Sequence, residues 1–183
     1  MKLTLRRQIF LVDNAESMLD HWYEATLLLK TLVETAEGLD ENGMDLHFTT
    51  GTTKLEGKDS AEKFVNSMKK ACPKQGTHTD LRISLGYILD DYKDKLARKA
   101  KYPTTAKVKD LVLVVLTDGV WAGMTEKKDI ADQLVRFSQT VKSLDGDLKQ
   151  RPVGVGFIQF GTDEAATQEL KYLDEFLDEK DIP

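Results

Sequence analysis

Two uninterrupted apolar runs, each closed by an aspartate, set the limits on this fold. Ile9-Phe10-Leu11-Val12 ends at Asp13, and Leu111-Val112-Leu113-Val114-Val115-Leu116 passes through Thr117 to Asp118. Short runs of β-formers without polar alternation suit strands covered on both faces, as in a parallel sheet beneath helices. Each run stops at a carboxylate where the chain leaves the sheet. In open α/β sheets that carboxyl edge is where ligands bind.

The rest of the chain supplies the helices such a sheet requires. Strand one is expected over Gln8–Asp13. Trp22, Ala25, Leu28, Leu29, Leu32, Val33 and Ala36 then recur at helical spacing, which predicts a helix from about Asp20 to Glu37 with Gly38 as its stop. Leu46 and Phe48 alternate with Asp45 and His47 in a second strand. Thr49–Thr53 turns around Gly51, and Lys54-Leu55-Glu56 reads as a short edge strand. A helix over Ser60–Ala71 has Ser60 at its start but Lys63 where a capping box needs an acid or amide. Gly76-Thr77-His78-Thr79-Asp80 leads into a helix from Leu81 to about Lys99. After the Leu111–Leu116 strand, a helix is expected over Lys128–Ser143. A strand over Pro152–Phe160 follows, in which Gly154 and Gly156 would permit close backbone approach, and then a helix over Glu164–Leu177. This alternation predicts a Rossmann-like, three-layer α/β/α fold. Its central sheet is mostly parallel with one short antiparallel edge strand, in a single domain over residues 1–183.

Composition narrows the functional classes. At 183 residues the chain has the usual size of one domain, roughly 100–200 residues. A net charge of −5 argues against nucleic-acid binding, which leans on phosphate neutralisation. The lysines at 93–101 and 127–128 read as solvated faces. No apolar run approaches the roughly 20 residues that cross a bilayer, so no membrane partner is expected. The basic start, Met1–Arg7, makes a poor signal peptide, and the lone Cys72 excludes an intrachain disulfide. Together these features suggest a cytoplasmic protein. Neither Gly-x-Gly-x-x-Gly nor Gly-x-x-x-x-Gly-Lys-Ser/Thr occurs, so a nucleotide cradle is unsupported.

Three loops share one chemical character. Asp13-x-Ala15-x-Ser17 follows strand one, Thr77-His78-Thr79 precedes a helix, and Asp118-Gly119 follows the strongest strand. If the two apolar strands are neighbours, both aspartates lie at one end of the sheet. Two carboxylates brought together resist joint ionisation, and a divalent cation removes that cost. Asp, Ser and Thr offer hard oxygen ligands suited to Mg²⁺ or Mn²⁺, whereas His21, His47, His78 and Cys72 lack the spacing of a zinc site. His78 reads as an exposed loop residue and Trp22 as packing. Trp121, just past Asp118, is a candidate for a partly exposed interface anchor.

These residues, in this order, resemble the von Willebrand factor A domain, the fold also found in integrin inserted domains. That family's metal-ion-dependent adhesion site combines Asp-x-Ser-x-Ser after strand one, a threonine in a later loop, and the aspartate of a Thr-Asp-Gly turn. Asp13 and Ser17 match the ends of the first motif. Thr77 is similar to the loop threonine, with Thr79 as a cap or supporting residue. Asp118, in Leu116-Thr117-Asp118-Gly119, matches the aspartate. The resemblance spans about Arg7 to Phe176 and implies metal ligands Asp13, Ser17, Thr77 and Asp118. Ala15 stands where the family has its first serine, and its methyl group cannot ligate, so the implied site is weakened. The family often has a strand after the last helix, whereas Asp181-Ile182-Pro183 closes this sequence, which raises the expectation of a fragment of a longer protein.

The resemblance implies a non-enzymatic protein–protein interaction module. An acidic side chain of the partner protein would complete the coordination of Mg²⁺ (or Mn²⁺). The alternative is receiver-like or phosphatase-like Mg²⁺-dependent aspartyl phosphate chemistry at Asp13. Against it, Asn14 interrupts the receiver's acidic pair and Ala15 defeats the phosphatase Asp-x-Asp.

Overall fold

The computed structural model describes residues 6–36, 43–57, 60–126, 128–145 and 153–179. The two apolar runs form adjacent parallel strands, β1 (Arg6–Val12) and β4 (Asp110–Thr117), in register from Arg6 opposite Asp110 to Val12 opposite Leu116. On the other side of β1 lies β2 (Met44–Phe48), also parallel, and beyond it the two-residue antiparallel strand β3 (Lys54–Leu55). β5 (Val153–Gln159) pairs parallel with β4. The strand order is therefore β3-β2-β1-β4-β5. Five α-helices surround the sheet among the described residues: α1 (Trp22–Ala36), α2 (Ala61–Lys70), α3 (Leu81–Lys101), α4 (Asp129–Asp145) and α5 (Glu164–Glu179). The fold is α/β with three layers, a mostly parallel sheet and one antiparallel edge strand, as the alternation predicts.

Side-chain alternation along each strand divides the core in two. Phe10, Val12, Leu46 and Phe48 meet Ala25, Leu29 and Val33 of α1 and Phe64 and Met68 of α2. Ile9, Leu11, Leu113 and Val115 meet the apolar faces of α3, α4 and α5. Leu11 and Val115 have no solvent exposure, and burying a side chain of that size contributes about 1.5–3 kcal/mol. Trp22 packs in the α1–α2 layer, its ring centroid 6.3 Å from that of Phe48.

The helix limits fall within two residues of those expected, and a 3-10 helical segment, Glu16–His21, precedes α1. Gly38, the expected stop of α1, lies outside the described residues, as do Lys127, Pro152 and Asp181–Pro183. Ser60 makes no side-chain cap at α2, consistent with its incomplete capping box. Asp80 caps α3 by accepting from the Arg82 amide. The Arg82 guanidinium returns to Asp80 and reaches Asp129, tying together the first turns of α3 and α4.

Gly154 and Gly156 do not serve the close approach expected of them: a Cβ built at either meets nothing within 4 Å. Close approach occurs instead at Gly119 (φ +81°), where a Cβ would lie 2.8 Å from that of Ala166 on α5, and at Gly123, where it would lie 2.8 Å from the Thr79 carbonyl. Among the described residues no helix is long and apolar enough to cross a membrane.

Candidate functional site

Strand order fixes where the aspartates meet. From β1 the chain moves through α1 to β2 on one side, and from β4 it moves through α4 to β5 on the other. Because α1 and α4 lie on opposite faces, the loops leaving β1 and β4 diverge and open a crevice at their carboxyl ends. Asp13 and Asp118 stand there. The Asp13 amide donates to Leu116 O at 2.8 Å, which holds the two strand ends together just below the crevice.

Asp13 is completely buried. Its Oδ1 accepts from the Thr79 hydroxyl at 2.6 Å, the Thr49 hydroxyl at 3.0 Å and the Ala15 amide at 3.2 Å, and its Oδ2 accepts from the Thr117 hydroxyl at 2.9 Å. Burial pushes this carboxyl above its ordinary range, against the opposing pull of those same hydrogen bonds. Thr49 has one proton and three acceptors in reach: Asp13 Oδ1, Thr79 Oγ1 at 3.0 Å and Asn14 Oδ1 at 3.2 Å. Thr117 is saturated, because its oxygen also accepts from the Gly119 amide and the Trp121 indole, each at 3.0 Å.

The loops around Asp13 are stitched to one another. Asn14 donates through Nδ2 to Thr50 O and Ala71 O, and its Oδ1 accepts from the amide and hydroxyl of Thr50. Glu16 binds the 76–79 loop twice: its amide donates to Thr77 O, and its carboxylate accepts from the Gly76 amide. Gly123 donates its amide to Thr79 O.

Of the four residues implied as ligands, Asp13 and Asp118 flank the crevice. Asp118 is 3% exposed, and its Oδ1 accepts from the Val120 amide at 2.9 Å. Ser17 lies in the 3-10 segment; its Oγ is buried and has no hydrogen-bond partner among the described residues. The Thr77 hydroxyl donates to Lys74 O at 2.6 Å on the exposed side of its loop, and it is Thr79 that reaches Asp13. Fully extended backbone would put residues two apart on one face; this loop departs from it, and the Thr77 and Thr79 hydroxyls reach different partners. Spacing alone does not say which one faces inward.

Trp121 is not an exposed anchor. At 3% exposure it packs against Phe157, with ring centroids 6.4 Å apart, while its indole N–H bonds Thr117. The residues that sequence reasoning missed are Thr49, Asn14 and Thr117. Thr49 and Asn14 act across 35 or more positions of sequence and Thr117 across 104. No local spacing marks them, although Thr117 directly precedes Asp118 in a buried strand end.

The donor set has the character of a hard-cation site, with two carboxylates that would balance the charge of Mg²⁺ and hydroxyl oxygens beside them. The unpartnered Ser17 Oγ fits a missing ligand, since buried hydroxyls ordinarily have partners. Ala15, 2% exposed, presents only a methyl group. Among the described residues no group of three or more His, Cys, Asp or Glu side chains gathers, so any ion held here would depend on hydroxyl ligands.

No protein-family model and no curated protein matches the chain. Among solved structures, similarity extends to the three N-terminal domains of the type V pili tip protein Mfa5 from Porphyromonas gingivalis. The identity is 12% and the TM-score 0.38, over 63% of this chain and 20% of that one.

Proposed function

We propose that the chain is an intracellular, non-enzymatic protein–protein interaction module of the von Willebrand factor A type, which engages its partner at the carboxyl end of the sheet. The observation that carries this reading is the placement of Asp13 and Asp118 on adjacent parallel strand ends at the switch point. The unpartnered Ser17 hydroxyl on the loop after β1 adds to it. Ser17 and Asp118 would hold Mg²⁺, with Thr77 at the rim and Asp13 behind them. A bound Mg²⁺ supplies an open coordination position that an acidic side chain of the partner fills. Thr49, Thr79 and Thr117 hold the Asp13 carboxylate in one orientation, and Asn14 and Glu16 keep the surrounding loops in place. The geometry gives aspartyl phosphate chemistry no such support. Asp13 is fully buried, and an incoming phosphoryl group would have to displace the hydroxyls of Thr49, Thr79 or Thr117.

Thermal unfolding with Mg²⁺, Mn²⁺ or a chelator tests the metal reading. A ligand at ten times its Kd adds about 1.4 kcal/mol to the native state, roughly 3–5 °C for a domain of this size. The expected outcome is a smaller rise than that for the native chain at millimolar Mg²⁺. Ala15→Ser should show a larger rise and Asp118→Ala none. Superimposable curves for all three proteins with and without metal would remove the cation from the proposal.

A further inference from the structure

Among the described residues the sheet ends in two edges, and only one of them is protected. β3 is two residues long and carries Lys54, ion-paired to Glu56 at 2.8 Å. β5 runs for seven residues, Val153-Gly154-Val155-Gly156-Phe157-Ile158-Gln159, with no charge and no proline. It is paired along one side only, to β4. The row of N–H and C=O groups on its other side is a template for a further strand, and the usual protections are charge, proline, brevity or a bulge. Gly154 and Gly156 add open space, with nothing within 4 Å of either Cβ position.

The sequence of β5 also complements itself. In an antiparallel pairing centred on Gly156, Gly156 meets its own copy, Val155 meets Phe157, Gly154 meets Ile158 and Val153 meets Gln159. On one face a glycine lies opposite the bulky Ile158. On the other, a β-branched residue lies opposite an aromatic, a favourable cross-strand pair. No like charges face each other in this register. We propose that β5 of one molecule pairs antiparallel with β5 of a second copy about a two-fold axis, joining two five-stranded sheets into one of ten strands. Such an interface is closed, so it consumes the exposed edge without propagating. It is independent of the cation proposed at the strand ends.

Sedimentation equilibrium of the whole chain in chelator tests this, over roughly 1 to 500 µM, where small interfaces dissociate. The native chain should follow a monomer–dimer equilibrium. Gly156→Lys adds its side chain into open space but sets two ammonium groups face to face at the axis. It should weaken dimerisation by about tenfold or more, since like charges directly opposite are destabilising. Gly156→Glu alone should do the same, and an equimolar mixture of the two variants should recover association. Cooperative urea unfolding at monomeric concentrations, with midpoints no lower than the native chain's, would show that both variants fold. A native chain that stays monomeric throughout, or a Gly156→Lys dimer as tight as the native one, overturns the proposal. Failure of the mixture to recover association overturns the register centred on Gly156.

Discussion

The two edges of the sheet solve the same problem in opposite ways. At β3, pairing is minimal and side chains do the work. His47 lies opposite Lys54, Lys54 pairs with Glu56, and Asp45 accepts both the Gly57 amide and the Arg7 guanidinium. At β5, seven residues are in register with β4, and Val155 and Phe157 are rooted in the core, yet its outer side carries no charged side chain. A short edge can be anchored by ion pairs at its margin. A long edge anchored by apolar residues stays in place without them and so lacks their repulsive effect. Firm attachment to the molecule and protection from other molecules are thus separate properties.

The largest effect that would sharpen this contrast is expected at Asp45. Asp45→Ala leaves the Gly57 amide without its acceptor and Arg7 without its closest carboxylate. Loss of charge-assisted bonds in a partly buried setting should cost about 2–3 kcal/mol, read as a lower urea midpoint with unchanged slope. A shift below half of that would mean that pairing, not charge, holds the β3 edge. At the opposite edge Gly156→Val should stabilise the chain by about 0.5–1 kcal/mol, because glycine inside a strand gives up more backbone freedom on folding and the added side chain meets open space. A loss of stability would show that the space is in use.

The smallest effect concerns His47. Burial lowers its affinity for a proton from the ordinary value near 6.5, outweighing the attraction of Asp45 and Glu56, and its Nε2 is buried without a partner among the described residues. The unfolded chain therefore binds the proton more readily. The stability linked to His47 is fully present well above pH 6.5 and is lost as pH falls through that value toward the lowered one. His47→Thr should flatten this part of the stability–pH curve, and parallel curves for the two proteins would assign the slope to other groups.

The fold was largely legible because periodicity is a local signal. The runs ending at Asp13 and Asp118 marked both central strands, and the alternation of Leu46 and Phe48 marked β2. Even the short edge strand at Lys54 was visible between turn residues. Less could be read where orientation or distance decides. Thr77 and Thr79 are chemically equal candidates in sequence, and only the folded loop turns Thr79 toward Asp13. Trp121 follows a glycine turn in a loop segment, but the indole doubles back to Thr117, four residues earlier, and packs on Phe157 of β5, a contact distant in sequence. Gly154 and Gly156 suggested crowding and instead mark a bare face. A glycine records that a side chain is absent, not what occupies its place.

The bond from Trp121 to Thr117 makes the molecule its own optical probe. The indole is two hydrogen bonds from the Asp13 carboxylate, through a hydroxyl that serves both. Any change in the charge or occupancy of the strand ends alters the polarisation of that chain and with it the emission of Trp121. Trp22, the other tryptophan in the sequence, is packed against Phe48 on the opposite face of the sheet, and its emission must be removed to isolate that of Trp121. With Trp22→Phe as the spectroscopic background, the carboxyl end of the sheet can be followed in solution without a label.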